Sequence, residues 1–133
     1  MSFLEEFKNI STDGKTEREQ KIEKGKKSFR QYCNLINSDF FKEERAYQEI
    51  VCDTLQKMYE RKMINNKTKK PYDILLLNLP PGFGKSYTAG LFATWVFGKN
   101  YKNQVITVSY GQDLAISFSK TVRNTILFFN KLV

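Results

Sequence analysis

Ile74-Leu-Leu-Leu-Asn-Leu79 runs directly into Pro80-Pro-Gly-Phe-Gly-Lys-Ser86. The first six residues are almost continuously apolar, the pattern of a strand covered on both faces at the centre of a parallel sheet. The loop that follows combines two prolines with two glycines, which stops the strand. From Lys85 to about Phe97 the chain has helical character, and Gly98-Lys-Asn100 reads as its stop. Gln104-Val-Ile-Thr-Val-Ser109 is a second β-branched run. Gly111-Gln-Asp113 then opens a last helix, with Leu114, Phe118, Val122, Ile126 and Phe129 on one face.

Upstream the pattern is helical. Residues 2–10 suit a short helix, and Ser11-Thr-Asp-Gly14 suits a turn. From about Thr16, Ile22, Phe29, Cys33 and Ile36 form one apolar stripe, and Glu17/Lys21 and Glu23/Lys27 are i,i+4 pairs in the favourable order. Gly25 weakens the middle of that stretch. Asn37-Ser-Asp39 marks a break. Tyr47, Ile50, Val51, Leu55 and Met58 then follow the 3.6 period of a helix from about Lys42 to Met63. Asn65 to Pro71 reads as an exposed, charged loop. The order helix, helix, strand, helix, strand, helix predicts an α/β fold.

Composition bounds the chemistry. The 133 residues are 41% apolar and 27% charged, an ordinary globular balance. No apolar run approaches the roughly 20 residues of a membrane-spanning helix, and Met1 to Phe7 is acidic, unlike a signal peptide. With no histidine, the chain cannot build a Ser-His-Asp triad, a Cys-His pair or a His-ligated metal centre. Cys33 and Cys52 lie in helical patterns beside apolar residues and read as buried thiols of a reducing compartment. The net charge is +8, and the 61 residues from Asp73 onward carry only 2 acidic against 6 basic groups. A surplus of that size suits a polyanionic partner.

The glycine loop carries the sharpest chemistry. Gly82 and Gly84 allow a tight turn that points backbone N–H groups inward at a phosphate. The helix that starts there adds its free N–H groups and its positive end. Lys85 is placed to reach β- and γ-phosphates, and the Ser86 hydroxyl to ligate Mg²⁺. The first position of the general phosphate-loop pattern, normally glycine, is Leu79.

Leu79-Pro-Pro-Gly-Phe-Gly-Lys-Ser86 resembles the phosphate-binding loop of the large terminase subunit of tailed phages, a motor ATPase that pumps DNA into the capsid. Arg45-Ala-Tyr-Gln48, with Ile50, Val51 and Leu55, is similar to that family's adenine-binding segment. Val105 to Tyr110, with Leu114-Ala115, Phe118-Ser119 and Val122-Arg123, is similar to its second strand and following helix. The likeness runs from about residue 42 to 126. It implies a partial P-loop ATPase domain over residues 42–133, the N-terminal part of a P-loop NTPase fold with an incomplete parallel sheet, behind a helical preface at 1–41. It implies ATP and Mg²⁺ as cofactors, with Tyr47 and Gln48 at the adenine and Pro81, Gly82, Phe83, Gly84, Lys85, Ser86 and Tyr87 around the phosphates. Ser86 is the implied Mg²⁺ ligand and Lys85 a catalytic group. Gly82 stands where many members carry an arginine, and Arg123 is the candidate substitute, acting from a neighbouring subunit.

The implied partners are double-stranded DNA, the small terminase subunit, the portal and further copies of the chain, in the cytoplasm of an infected or lysogenic bacterium, with no membrane. No apolar strand ends in Asp here, and the family's nuclease carboxylates are missing. With only two strands and an apolar final helix, the chain reads as the N-terminal part of a longer protein. The rival readings are a helicase-like or other P-loop NTPase and a nucleotide-binding remnant without turnover.

Overall fold

The computed structural model describes residues 15 to 132. The helix and turn expected over residues 2–14 lie outside the described residues. Among the described residues, five helices make up the regular structure: α1 Glu17–Lys27, α2 Phe29–Ile36, α3 Ala46–Tyr59, α4 Lys85–Lys99 and α5 Gln112–Leu132. Helices α1 and α2 pack on each other, α2 leans on α3 and α4, and α5 lies along α4.

The expected parallel sheet does not form. Among the described residues, Ile74–Leu79 and Gln104–Ser109 adopt no strand, and no sheet is present. An isolated antiparallel bridge, Ile64 to Pro71, merely closes the loop between them. The α/β, P-loop-NTPase-type fold expected from the sequence is therefore corrected to a helical one. The physical reason is pairing. A strand is a hydrogen-bonded object, and among the described residues these two runs make no backbone pairing with each other or with a third segment. What survives of the pattern is its period: Leu75, Leu77 and Leu79 are half-buried while Ile74, Leu76 and Asn78 face outward. Ile106 and Val108 are almost fully exposed.

The helical expectations fare better. Thr16 opens α1 with a capping box: its hydroxyl accepts from the Glu19 N–H, and the Glu19 carboxylate accepts from the Thr16 N–H. The Glu17–Lys21 pair forms at 2.7 Å. Glu23 pairs with Lys26, not with Lys27. The long stripe from Ile22 to Ile36 is broken at Ser28 rather than at Gly25. Ser28 ends α1 and caps α2, its hydroxyl accepting from the Gln31 N–H. Gln56 of α3 braces this corner from outside. Its amide accepts from the Phe29 N–H at 2.9 Å and donates to the Lys27 carbonyl at 3.0 Å. The break is thus stapled by a residue 27 positions away.

The core gathers Phe29, Tyr32, Cys33 and Phe41 with Cys52, Leu91, Trp95 and Val96. Phe29 meets Phe92 edge-on at 5.2 Å and lies 5.7 Å from Trp95. The Trp95 indole donates to the Gly25 carbonyl at 3.1 Å, so Gly25 serves as the seat on which α4 rests. Cys33 and Cys52 are buried free thiols, as expected, with their sulfurs 4.0 Å apart. Burial pushes the Cys33 thiol far up, and the neighbouring Cys52 sulfur adds to it, so Cys33 stays protonated.

Tyr32 supplies a pH test of this core. Its hydroxyl shares a 2.8 Å hydrogen bond with Thr94, yet burial pushes its pKa from 10.0 to about 12. The folded state favours the neutral phenol. That contribution is whole below the unfolded value near 10 and is lost as pH rises from there through about 12. Alkaline titration followed at 295 nm should show one of the seven tyrosines ionising late. The late step should vanish in Tyr32→Phe. Ionisation of Tyr32 together with the others would contradict the assignment.

Candidate functional site

The glycine loop is built by short-range rules. Pro80 and Pro81 fix φ and deny two N–H groups to any ladder. The Phe83 N–H donates back to the Pro80 carbonyl at 3.3 Å, closing a turn. Gly82 and Gly84 sit at φ +84° and +77°, the left-handed region where side chains are strained. Gly84 is the N-cap of α4, and its carbonyl accepts the first helical bond, from the Thr88 N–H at 2.8 Å. Lys85 and Ser86 thus occupy the first turn of a 15-residue helix that has no acidic residue in that turn. Both are exposed. Lys85 Nζ reaches across the loop to the Leu79 carbonyl at 2.6 Å. The result is a concave backbone with an ammonium folded over it at a positive helix end, which is a setting for an anion.

Helices, not a sheet, hold the loop in place. The Tyr47 ring of α3 rests against Phe83, with centroids 5.0 Å apart. Phe40 packs on Gly84 so closely that an added Cβ would collide with its ring. Tyr87, one residue beyond Ser86, stacks on Phe41 and meets Phe40 edge-on, and its hydroxyl accepts from the Asn37 amide at 3.3 Å. It anchors the start of α4 on the α2–α3 connection. Pro81 is exposed and Phe83 partly so.

The structure therefore brings Tyr47, Phe83, Gly84 and Lys85 together. Gln48 does something different. It is 4% exposed, and neither its amide nitrogen nor its amide oxygen has a hydrogen-bond partner among the described residues. It lines a cavity of about 120 Å³ with Arg30, Asn34, Phe41 and Cys52, on the side of α3 that faces α2. Consecutive residues on a helix point about 100° apart, so Tyr47 meets the loop while Gln48 turns away from it. An orphaned buried amide of this kind is costly, about 1–3 kcal/mol, unless something satisfies it.

Arg123 is not brought to the loop. It is an exposed residue of α5 beside Ala93 and Phe97, and its guanidinium donates to Asn124 at 3.4 Å. Those neighbours lie two to three turns beyond Lys85, roughly 12–18 Å along the α4 axis. A second cation, Arg45, reaches the loop's packing through a contact that the sequence did not announce. Arg45 sits over the face of Phe40 at 5.1 Å and donates to the Phe40 carbonyl at 3.2 Å. No local pattern announces this, because the contact depends on how the α2–α3 connection folds back over Gly84.

Comparison with protein-family models, with curated proteins and with solved structures finds no match to this chain.

The residues present fit the phosphate end of a nucleotide: a glycine cradle, a helix end and an ammonium. For the metal they offer the Ser86 hydroxyl. Among the described residues no group of three His, Cys, Asp or Glu side chains could hold an ion. A Mg²⁺ here would therefore rest on Ser86, phosphate oxygens and water, a set this hard cation accepts. Among the same residues no helix is long and apolar enough to cross a membrane.

Proposed function

We propose that the chain binds ATP with Mg²⁺ through the Gly82–Ser86 loop and is the nucleotide-binding segment of a DNA-packaging motor of the large-terminase kind. The observation that carries the reading is the loop itself. Two left-handed glycines stand directly before Lys85 and Ser86 in the first turn of α4. The Tyr47 ring packed on Phe83 supports it, because it sets an aromatic face beside the loop. In this reading α3 and the α2–α3 connection hold the loop by aromatic contacts, and Lys85 leaves the Leu79 carbonyl for the phosphates. ATP hydrolysis coupled to DNA movement belongs to the assembled motor, where double-stranded DNA, further copies, a small subunit and a portal are the partners. The setting is the cytoplasm of an infected or lysogenic bacterium. The surplus of positive charge suits the DNA backbone.

The test is calorimetric. ATP·Mg²⁺ should bind with one site per chain, and Lys85→Ala should weaken it at least tenfold, about 1.4 kcal/mol. Binding that ignores Lys85 would sink the proposal.

A further inference from the structure

On the side of α4 remote from the loop, a cavity of about 540 Å³ opens between the ends of three helices. Trp95 and Phe97 of α4, Ile126 and Phe129 of α5, and Tyr32 of α2 make its walls. The polar groups of Tyr32, Thr94 and Trp95 are already satisfied, and Asn130, which also lines the cavity, is exposed to solvent. Tyr32 and Thr94 bond each other, the Thr94 hydroxyl also reaches the Leu91 carbonyl at 2.7 Å, and the indole N–H is held by Gly25. The interior therefore asks for nothing polar; it offers apolar surface, much of it aromatic, in the volume range of ordinary small-molecule pockets.

The rim is the opposite. Lys26 and Lys27 end α1, Lys99 ends α4, and no carboxylate lines the cavity. Basic residues in a last helical turn commonly complement the helix dipole. Here two such ends converge on one apolar mouth. Lys26 is engaged by Glu23 at 3.2 Å. Lys99 lies over the Trp95 ring at 4.7 Å, at the border between the apolar wall and solvent. An occupant that matches both parts carries an apolar tail for the wall and a single negative head for the ammonium groups.

We propose that this cavity binds a small amphiphilic monoanion, a medium-chain or aryl carboxylate, with its tail against Trp95 and Phe129 and its head between Lys27 and Lys99. The site is separate from the glycine loop, and the proposal does not depend on nucleotide binding.

Trp95 is the only tryptophan in the chain, so it reports on its own pocket. Bromine quenches indole emission only on near contact. Titration with 8-bromooctanoate should quench Trp95 emission saturably. The uncharged 8-bromooctan-1-ol should bind at least tenfold more weakly. The double reversal Lys27→Glu with Lys99→Glu should weaken the acid at least tenfold, and Lys27→Gln with Lys99→Gln should weaken it in the same direction. Lys67→Glu, in the loop between Ile64 and Pro71, should leave it within twofold. Three results would each overturn the proposal: no saturable quenching, equal binding of acid and alcohol, or Lys27/Lys99 variants that match Lys67→Glu.

Discussion

Phe29→Ala should cost about 3–5 kcal/mol, the range for truncating a fully buried aromatic ring. Phe29 has no exposed surface, and it touches Phe92 and Trp95 at one of the few places where α2 and α4 meet. Its backbone N–H is also the hydrogen bond by which Gln56 braces the α1–α2 corner. The cavity left by the ring would open beside Cys33 and Leu91, which are themselves without exposed surface and cannot relax outward. For a small domain with a total stability of roughly 5–15 kcal/mol, this loss leaves little margin. Urea unfolding followed by Trp95 emission would show the midpoint collapse at an unchanged slope. A loss below about 1 kcal/mol would mean that this aromatic cluster is not the centre of the fold. Gln56→Ala should be milder, about 1 kcal/mol, because it removes hydrogen bonds at a partly exposed corner.

Gly84→Ala is the second large effect, and it acts on the loop. An added Cβ would lie 2.8 Å from Phe40 Cε1 and closer still to Cζ, while the backbone stays at φ +77°. The left-handed conformation alone costs an alanine about 1–2 kcal/mol. Overpacking against the ring adds about 1–3 kcal/mol. The ring has nowhere easy to go, since Phe41, Tyr87 and Arg45 hold it on other sides. The expected result is a destabilised chain whose α4 entry is displaced and whose ATP binding is lost. Phe40→Leu in the same molecule should recover the steric part but not the backbone part, so the two changes should not add. At Gly82 a Cβ would meet nothing within 4 Å. Gly82→Ala should therefore cost only the backbone strain. Equal penalties at the two glycines would show that Phe40 does not press on the loop.

The sequence and the tertiary structure divided this molecule along a physical line. Helix positions were legible because they rest on near neighbours. Thr16 with Glu19, Glu17 with Lys21, and the apolar periods of α3 and α5 all act within a turn or two. The tight turn at Gly82 and Gly84 was legible for the same reason, and the structure builds it with both glycines at positive φ. The burial of Cys33 and Cys52 followed from their helical neighbours.

What local pattern could not decide was partnership. Ile74–Leu79 and Gln104–Ser109 carry the residues of strands, but a strand exists only when another segment's backbone pairs with it, and among the described residues none does so. Their alternating or exposed side chains record a preference that stays unpaired. The same limit hid Gln56 across the α1–α2 break, Phe40 against Gly84, and Arg45 over Phe40. It also hid that Tyr47 meets the loop while its neighbour Gln48 faces the α2 side, and that Arg123 lies along the far half of α4. Residue order alone determined which backbone shapes each stretch favours, through sterics and short hydrogen bonds. Which faces meet, and which are left without a partner, was decided only by the folded chain, because those contacts join residues whose separation in sequence carries no local signal.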